Sequence, residues 1–448
     1  MSLYDYGKTY LLLRLHHQLC RLVLSTAVNI AIPVMSHEFG LTPDKLSWVV
    51  TAFLIPTAAC LLPMGKVSDI YGRRKTYAAA LLAFALTTAA AALAATLPVL
   101  VAIRSLQGIA LSAVYVSYMP LLLATTDEDC QGRILGICVG LTYLGLSLGP
   151  VAGGLLTEYA GWRSIFLLSA VMASAAYLFI RPVRQEWYAS GAPFVNAVSS
   201  ALSIAGIVLF LWGISSYAET NLPLWAGLFL LLAFILHESR SYHPLLPLYI
   251  FRSVSFSMSN LAAFIQYSAT YAMSFLLSLY LQVLTGLSPA VSGLILLVQP
   301  IIMALLSPKA GALSDAYGPM PIATAGLALT TLGLACFAVC PDASVAAVAA
   351  FLVLIGTGSA LFGAPNNSAI MSSVKPAYHG VASSMLALAR NLGQASSMAV
   401  VTLILSQHTA ATALYADAVR AALRQSYTLF AVLCLLSVLA SLARGKKK

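Results

Sequence analysis

Fourteen apolar runs of bilayer-spanning length follow one another along the chain, separated by polar links. They lie near 11–35, 46–64, 76–95, 98–121, 134–156, 164–181, 197–217, 222–237, 256–282, 288–308, 321–340, 345–366, 380–405 and 425–443. A hydrocarbon core about 30 Å thick takes roughly 20 mostly apolar residues per helical crossing, so each run predicts one transmembrane helix. Most links are short, which makes neighbouring spans antiparallel. The longer ones are RPVRQEWYASGAP at 181–193 and SRSYHPLLPLYIFRS at 239–253. The pattern predicts an all-α polytopic membrane protein.

Composition agrees. Of 448 residues, 60% are hydrophobic and 8% charged, with mean hydropathy +0.89. Soluble domains carry about 25% charged residues, and this chain has too few to cover such a surface. The net charge of +10 lies between the spans, so it reads as a topology signal and not as a nucleic-acid footprint. With the N-terminus inside, sixteen of the 24 Lys and Arg fall on the cytoplasmic side. Four (Lys45, Arg163, Arg420, Arg424) fall outside, and four (Arg14, Arg21, Arg104, Arg390) lie within spans. That asymmetry predicts a multi-pass protein of the cell (cytoplasmic or inner) membrane with both termini cytoplasmic. No cleavable leader is expected before the first span. The seven cysteines are scattered and give no disulfide or metal framework. HESRS at 237–241 is no zincin motif, because its fifth position is Ser241. No Walker loop is present, so no nucleotide or other cofactor is expected.

One charged knot interrupts the apolar pattern and recurs. GKVSDIYGRR at 65–74 aligns without gaps with GALSDAYGPM at 311–320, matching Gly, Ser, Asp, Tyr and Gly. Each copy follows a second long span, so the chain reads as two similar halves with spans 7 and 8 inserted. The expected division is a six-helix bundle at 1–182, two inserted spans with their links at 183–253, and a second six-helix bundle with a basic tail at 254–448. Transporters are often built this way, with substrate handled where the repeats meet near the membrane midplane.

GKVSDIYGRRK resembles the signature loop between helices 2 and 3 of the major facilitator superfamily, departing at Ile70 where a basic residue is usual. RSLQG at 104–108 is similar to that family's helix-4 motif. Gly136, Gly145, Gly149, Pro150, Gly153 and Gly154 resemble its helix-5 antiporter motif. HPLLPLYIF at 243–251 and APNNSAIMSSV at 364–374 look like the fourteen-helix drug:proton antiporter branch, the QacA/EmrB type. The resemblance implies a major facilitator fold of two six-helix bundles plus two inserted helices. It also implies proton-coupled efflux of drugs or other lipophilic small molecules by alternating access, with protons and the lipid bilayer as further partners.

Each motif has a physical reading. Asp69 is expected to accept from N–H groups at neighbouring helix ends. Arg73 and Arg74 are expected to pair across the halves when the cytoplasmic side is shut, and Gly65 and Gly72 to allow close approach and a tight turn. Plain positive-inside anchoring explains the bases but neither the acid nor the glycines. Gly311, Asp315 and Gly318 form the second copy of this latch, with Pro319 and Met320 in place of the bases. The helix-5 glycines read at least as a packing seam. Intramembrane polar residues give the cavity candidates: Asn29, Tyr143, Gln266, Tyr267, Tyr271, Gln299, Arg390, Asn391 and Gln394. For any one of them, helix–helix hydrogen bonding is the competing reading.

Coupling is harder to place. None of the fourteen acids falls in the middle of a span. Glu158, near the outer end of span 5, is nearest in depth to Arg104 and Gln107 of span 4. These three are the coupling candidates, and a solvated Glu158 with uncoupled transport is the alternative. The first span departs from the family, with Leu24 where an aspartate is usual and RLHHQLCR upstream. Either the first helix begins nearer Cys20, or the sequence diverged or was misread before Ser25. An uncoupled or organic-anion exporter on the same fold, and a non-transporting membrane sensor, complete the alternatives. No nucleophile–base pair or metal set is in view, so no enzyme is expected.

Overall fold

The computed structural model describes residues 27–124, 145, 149, 151–188, 194–217, 220–241, 244–246, 248–374, 379–411 and 415–444. The described residues form helices and links, with no strand among them. We number the long segments α1 (27–39), α2 (Trp48–Tyr71), α3 (Arg73–Ala92), α4 (Leu97–Ala124), α5 (151–160), α6 (Arg163–Ile180), α7 (Ala197–Ser215) and α8 (Leu222–Arg240). Then come α9 (Val254–Thr270, carried on by Met273–Leu279 and a π turn at Tyr280–Leu284) and α10 (Pro289–Leu296 with Val298–Tyr317). The last four are α11 (Pro319–Val339), α12 (Val345–Ser372), α13 (His379–Ala411) and α14 (Tyr415–Arg444). Each overlaps one apolar run of the sequence.

Ten of these helices are long and apolar enough to cross a membrane: α2–α4, α6–α8, α10–α12 and α14. The others differ for local reasons. α1 and α5 are described only in part. α9 is interrupted at Tyr271 and Ala272, and α13 carries Arg390, Asn391 and Gln394 in its middle. The unusual residues 1–26, including His16 and His17, lie outside the described residues.

Helix starts follow side-chain chemistry. Asn196, Ser253, Ser288 and Ser344 each accept the N–H three residues on, at the heads of α7, α9, α10 and α12. Such caps satisfy N–H groups that the first turn leaves without partners.

Packing repeats along the chain. α2 packs on α4, α4 on α3, and α3 on α6; later, α10 packs on α12, α12 on α11, and α11 on α14. The two sets occupy matching places relative to the two copies of the repeated loop. Between them, α13 lies against α2. α7 and α8 form a close hairpin that rests on α2 and α13. The hairpin is close because Gly213 and Gly227 face backbone: a Cβ on either would sit 2.2–2.3 Å from Leu224 N or Phe210 N.

Candidate functional site

The backbone of the repeated loop explains its sequence. Gly72 ends α2 and starts α3 with φ 104° and ψ 135°; Gly318 does the same between α10 and α11 with φ 85° and ψ 154°. Only glycine occupies that region readily, which is why both copies carry it. In the first copy Asp69 pairs with Arg73 one turn on, at 3.4 Å. The N–H groups at the head of α3 are held by another acid. Glu186, in the link after α6, accepts from Arg74 N at 2.7 Å and from Lys75 N at 3.0 Å. Arg74 returns the contact, donating from Nη2 to the Arg181 carbonyl at 2.8 Å, at the C-terminus of α6. Arg73 N donates to Trp187 O at 2.9 Å. A carboxylate thus sits at one helix start and a guanidinium at another helix end, both favourable to the helix dipoles.

The second copy is barer. Among the described residues, a Cβ at Gly311 or Gly318 would meet nothing within 4 Å, and one at Gly65 of the first copy would meet only Val116 at 3.9 Å. The side chain of Asp315 lies outside the described residues.

At the opposite end, near the 40–47 link, hydrogen bonds join helices that precede α7 and α8 to helices that follow them. Ser47 and Thr402 hydroxyls meet at 2.9 Å between α2 and α13. Ala290 N, at the head of α10, donates to Glu158 Oε2 of α5 at 2.9 Å. Deeper, Asn29 of α1 donates to Ser274 Oγ of α9 at 2.9 Å, and Gln282 of α9 donates to the Ile30 carbonyl at 3.1 Å. The helix-5 glycines permit this seam. A Cβ on Gly154 would lie 2.5 Å from Pro289 O, and one on Gly153 2.6 Å from Ala27 Cα. Gly145 and Gly149 are buried; Gly136 and Pro150 lie outside the described residues. The same end carries a clamp of α1 to α6, in which Arg163 Nη1 and Trp162 Nε1 both donate to the Glu38 carboxylate.

The interior polar residues divide into two groups. Arg104 is 1% exposed; its Nε donates to Val49 O at 2.9 Å, its Nη1 to Gln107 Oε1 at 2.6 Å, and its guanidinium lies 4.0 Å from the Phe53 ring centre. Gln107 passes the link on to Thr88 Oγ1 of α3. The structure therefore brings Arg104 and Gln107 together, whereas exposed Glu158 faces α10 instead. Gln266 donates to Thr330 Oγ1 and Ser359 Oγ, joining α9 to α11 and α12. Asn391 bonds back to its own helix at the Ala387 carbonyl. In the second group, Tyr271 at the break in α9 interacts electrostatically with Arg104 and Tyr115, and the Arg390 guanidinium is 6.0 Å from the Tyr115 ring centre. Tyr267, Gln299, Arg390 and Gln394 are half-buried. Tyr143 lies outside the described residues.

The family model described as Major Facilitator Superfamily matches residues 18–397 and 259–447. The chain belongs to the major facilitator superfamily. It is similar to the riboflavin transporter RibZ of Clostridioides difficile, 29% identical over 82% of this chain and 81% of that protein. It is also similar to the multidrug resistance protein Stp of Mycobacterium tuberculosis, 30% identical over 86% of this chain and 73% of that one. Among solved structures, a D-xylose–proton symporter superposes with TM-score 0.70 at 14% identity, over 98% and 97% of the two chains. That last likeness shows the fold. This major facilitator chain is a membrane transporter and not an enzyme.

Two further motifs of this facilitator gain structural roles. Asn366 of APNNSAIMSSV donates to Ser259 O, fastening α12 to α9. Leu246 and Ile250 of HPLLPLYIF join Leu61 of α2, Phe234 of α8 and Met385 of α13 in one apolar cluster. Glu186, Ser274, Ser397 and Thr402 were not singled out by the sequence. Their partners lie 112, 245, 125 and 355 residues away, and no local pattern announces them.

Proposed function

We propose that this chain is a secondary active exporter of lipophilic small molecules, working by alternating access and coupled to protons. The observation that carries the reading is the seam at the 40–47 end. Helices before and after α7 and α8 are hydrogen-bonded there, while at the other end no described residue would lie within 4 Å of a Cβ on Gly311 or Gly318. With the 40–47 end outside, this is a conformer shut to the exterior. The repeated packing supports two six-helix bundles that rock about the seam, with α7 and α8 inserted and fourteen crossings in all. Similarity to a protein named for multidrug resistance supports export of drugs, and the motifs resembling the fourteen-helix branch support proton antiport.

Alternating access needs a contact set that is made in one state and released in the other. The Ser47–Thr402 and Glu158–Ala290 bonds are few and involve the starts of α2 and α10, so their loss is within reach of a modest bias. The grip of Glu186 on Arg74 N and Lys75 N keeps α3 and the link after α6 together while the halves move. Drug-sensitivity profiling of cells with and without the protein, followed by flux in vesicles under an imposed pH gradient, tests the reading. Export that responds to the gradient supports it; export indifferent to the gradient removes proton coupling, and no change in sensitivity to any compound removes export.

A further inference from the structure

The interior face shared by α4, α9 and α13 holds an unusual charge arrangement. Arg390 lies eleven residues after His379, the start of α13, or about 16 Å along the axis at 1.5 Å per residue. That is near the middle of a hydrocarbon core about 30 Å thick, too deep for the side chain to reach a headgroup by snorkelling. Arg390 is half-buried and makes no ion pair among the described residues. The ion pairs found there are Arg73–Asp69, Arg163–Glu38, Arg420–Asp342 and Arg420–Asp417, all at helix ends. A cation at this depth is costly and calls for a counter-charge.

Its neighbours say what kind. The Tyr115 ring centre is 6.0 Å from the Arg390 guanidinium, within cation–π range. Tyr115 interacts electrostatically with Tyr271, and Tyr271 with Arg104, so the two phenols and two guanidinium groups form one electrostatically linked row. No carboxylate is part of this row among the described residues. Gln394, one turn beyond Arg390, is half-buried with no hydrogen-bond partner among them. Half-buried Val116, Leu386 and Leu392 belong to the same apolar surroundings as Tyr115. We propose that this face is a binding site for an amphipathic organic anion, with its carboxylate or sulfonate on Arg390 and its apolar or aromatic body along Tyr115.

The site rests on the transporter reading for what it serves, but its chemistry is its own. Arginine offers a planar pair of N–H donors that matches a carboxylate. Arg104 donates to Val49 O and Gln107 and contributes field more than contact. A compact hydrated anion would leave the apolar surroundings unfilled, whereas an aryl carboxylate satisfies both. A cationic drug would meet two guanidinium groups of its own sign.

The test uses purified full-length protein in lipid nanodiscs and a matched set of probes. These are radiolabelled 1-naphthoate, its neutral analogue 1-naphthamide, and the cation 1-(aminomethyl)naphthalene. We expect saturable 1-naphthoate binding that the other two do not displace. Arg390→Gln should weaken it by about tenfold or more, the range expected for losing a charge-assisted bidentate contact. Arg390→Lys should weaken it less, and Tyr115→Leu should weaken it while leaving the melting temperature near that of the wild type. If Arg390→Gln does not fold, Arg390→Lys decides: naphthoate binding as tight as in the wild type overturns the proposal. So does equal binding of acid and amide. Vesicles that export a cationic dye but neither bind nor move naphthoate overturn this site and leave the exporter reading standing. Naphthoate bound at Arg390 in a protein that moves no compound does the reverse.

Discussion

Replacing Gly72 by alanine separates backbone strain from the grip of Glu186, because the repeat supplies its own control. A non-glycine residue at φ 104° or φ 85° carries a strain of about 1–3 kcal/mol. At Gly318 that is the whole cost, since no described residue lies within 4 Å of the added carbon. At Gly72 the same carbon would sit 2.4 Å from Glu186 Cδ. Glu186 can swing away, but only by releasing Arg74 N and Lys75 N. The extra cost is therefore bounded by the cap itself, about 0.5–2 kcal/mol for the lost acceptor, with charge at a helix start included. Glu186→Ala alone should cost that same amount. Added to Gly72→Ala it should cost close to nothing, because the cap has already been displaced. The assay is a double-mutant cycle on reversible unfolding in detergent, with Gly318→Ala measured alongside. Strictly additive effects of Gly72→Ala and Glu186→Ala would refute the reasoning.

Other expectations follow from the same geometry. Asp69→Asn loses the Arg73 pair and should lower transport at near-normal membrane abundance; Asp315→Asn, whose loop has Pro319 and Met320 in place of bases, should do less, and equal large losses would contradict this. Gly154→Leu should push α10 off α5 and reduce export, measured as drug sensitivity with immunoblot-matched expression. Burial works to raise the Glu38 carboxyl, but hydrogen bonds from Arg163 and Trp162 and the Arg163 charge outweigh it and hold the group below 4.5. Its stabilisation is then fully present above about pH 4.5 and is lost as pH falls through the lowered value. Glu38→Gln should therefore be less stable than wild type at pH 7 and show a flatter loss of melting temperature in acid.

The helices were legible where apolar runs were long, and the loop was legible because its glycines answer to backbone geometry in both copies. Helix ends were less so: α14 begins at Tyr415, ten residues before its apolar run, because a helix continues past the bilayer on backbone bonds alone. The break in α9 carries no proline or glycine; Ala272 N is instead taken by Ser397 Oγ of α13 at 3.0 Å, a tertiary contact that no local pattern encodes. Gln266 illustrates the same limit. Its composition marks it as costly in the membrane, but only the positions of Thr330 and Ser359 make it a fastening between helices. Arg104 was visible as a buried cation, whereas its partners Val49 and Phe53 on α2 were not.

The seam between α2 and α13 carries the central claim, and a reversible bond across it tests that claim most directly. Ser47 Oγ and Thr402 Oγ1 are 2.9 Å apart, so cysteines at both positions bring their sulfurs within reach of a disulfide after a small adjustment. In cells expressing Ser47→Cys/Thr402→Cys, export of the compound found by sensitivity profiling is measured before oxidation, after oxidation and after reduction. Alternating access predicts that oxidation stops export and reduction restores it, with each single cysteine variant unaffected. Full-rate export through the fully oxidised double variant would mean that this seam never opens, and the account would be wrong.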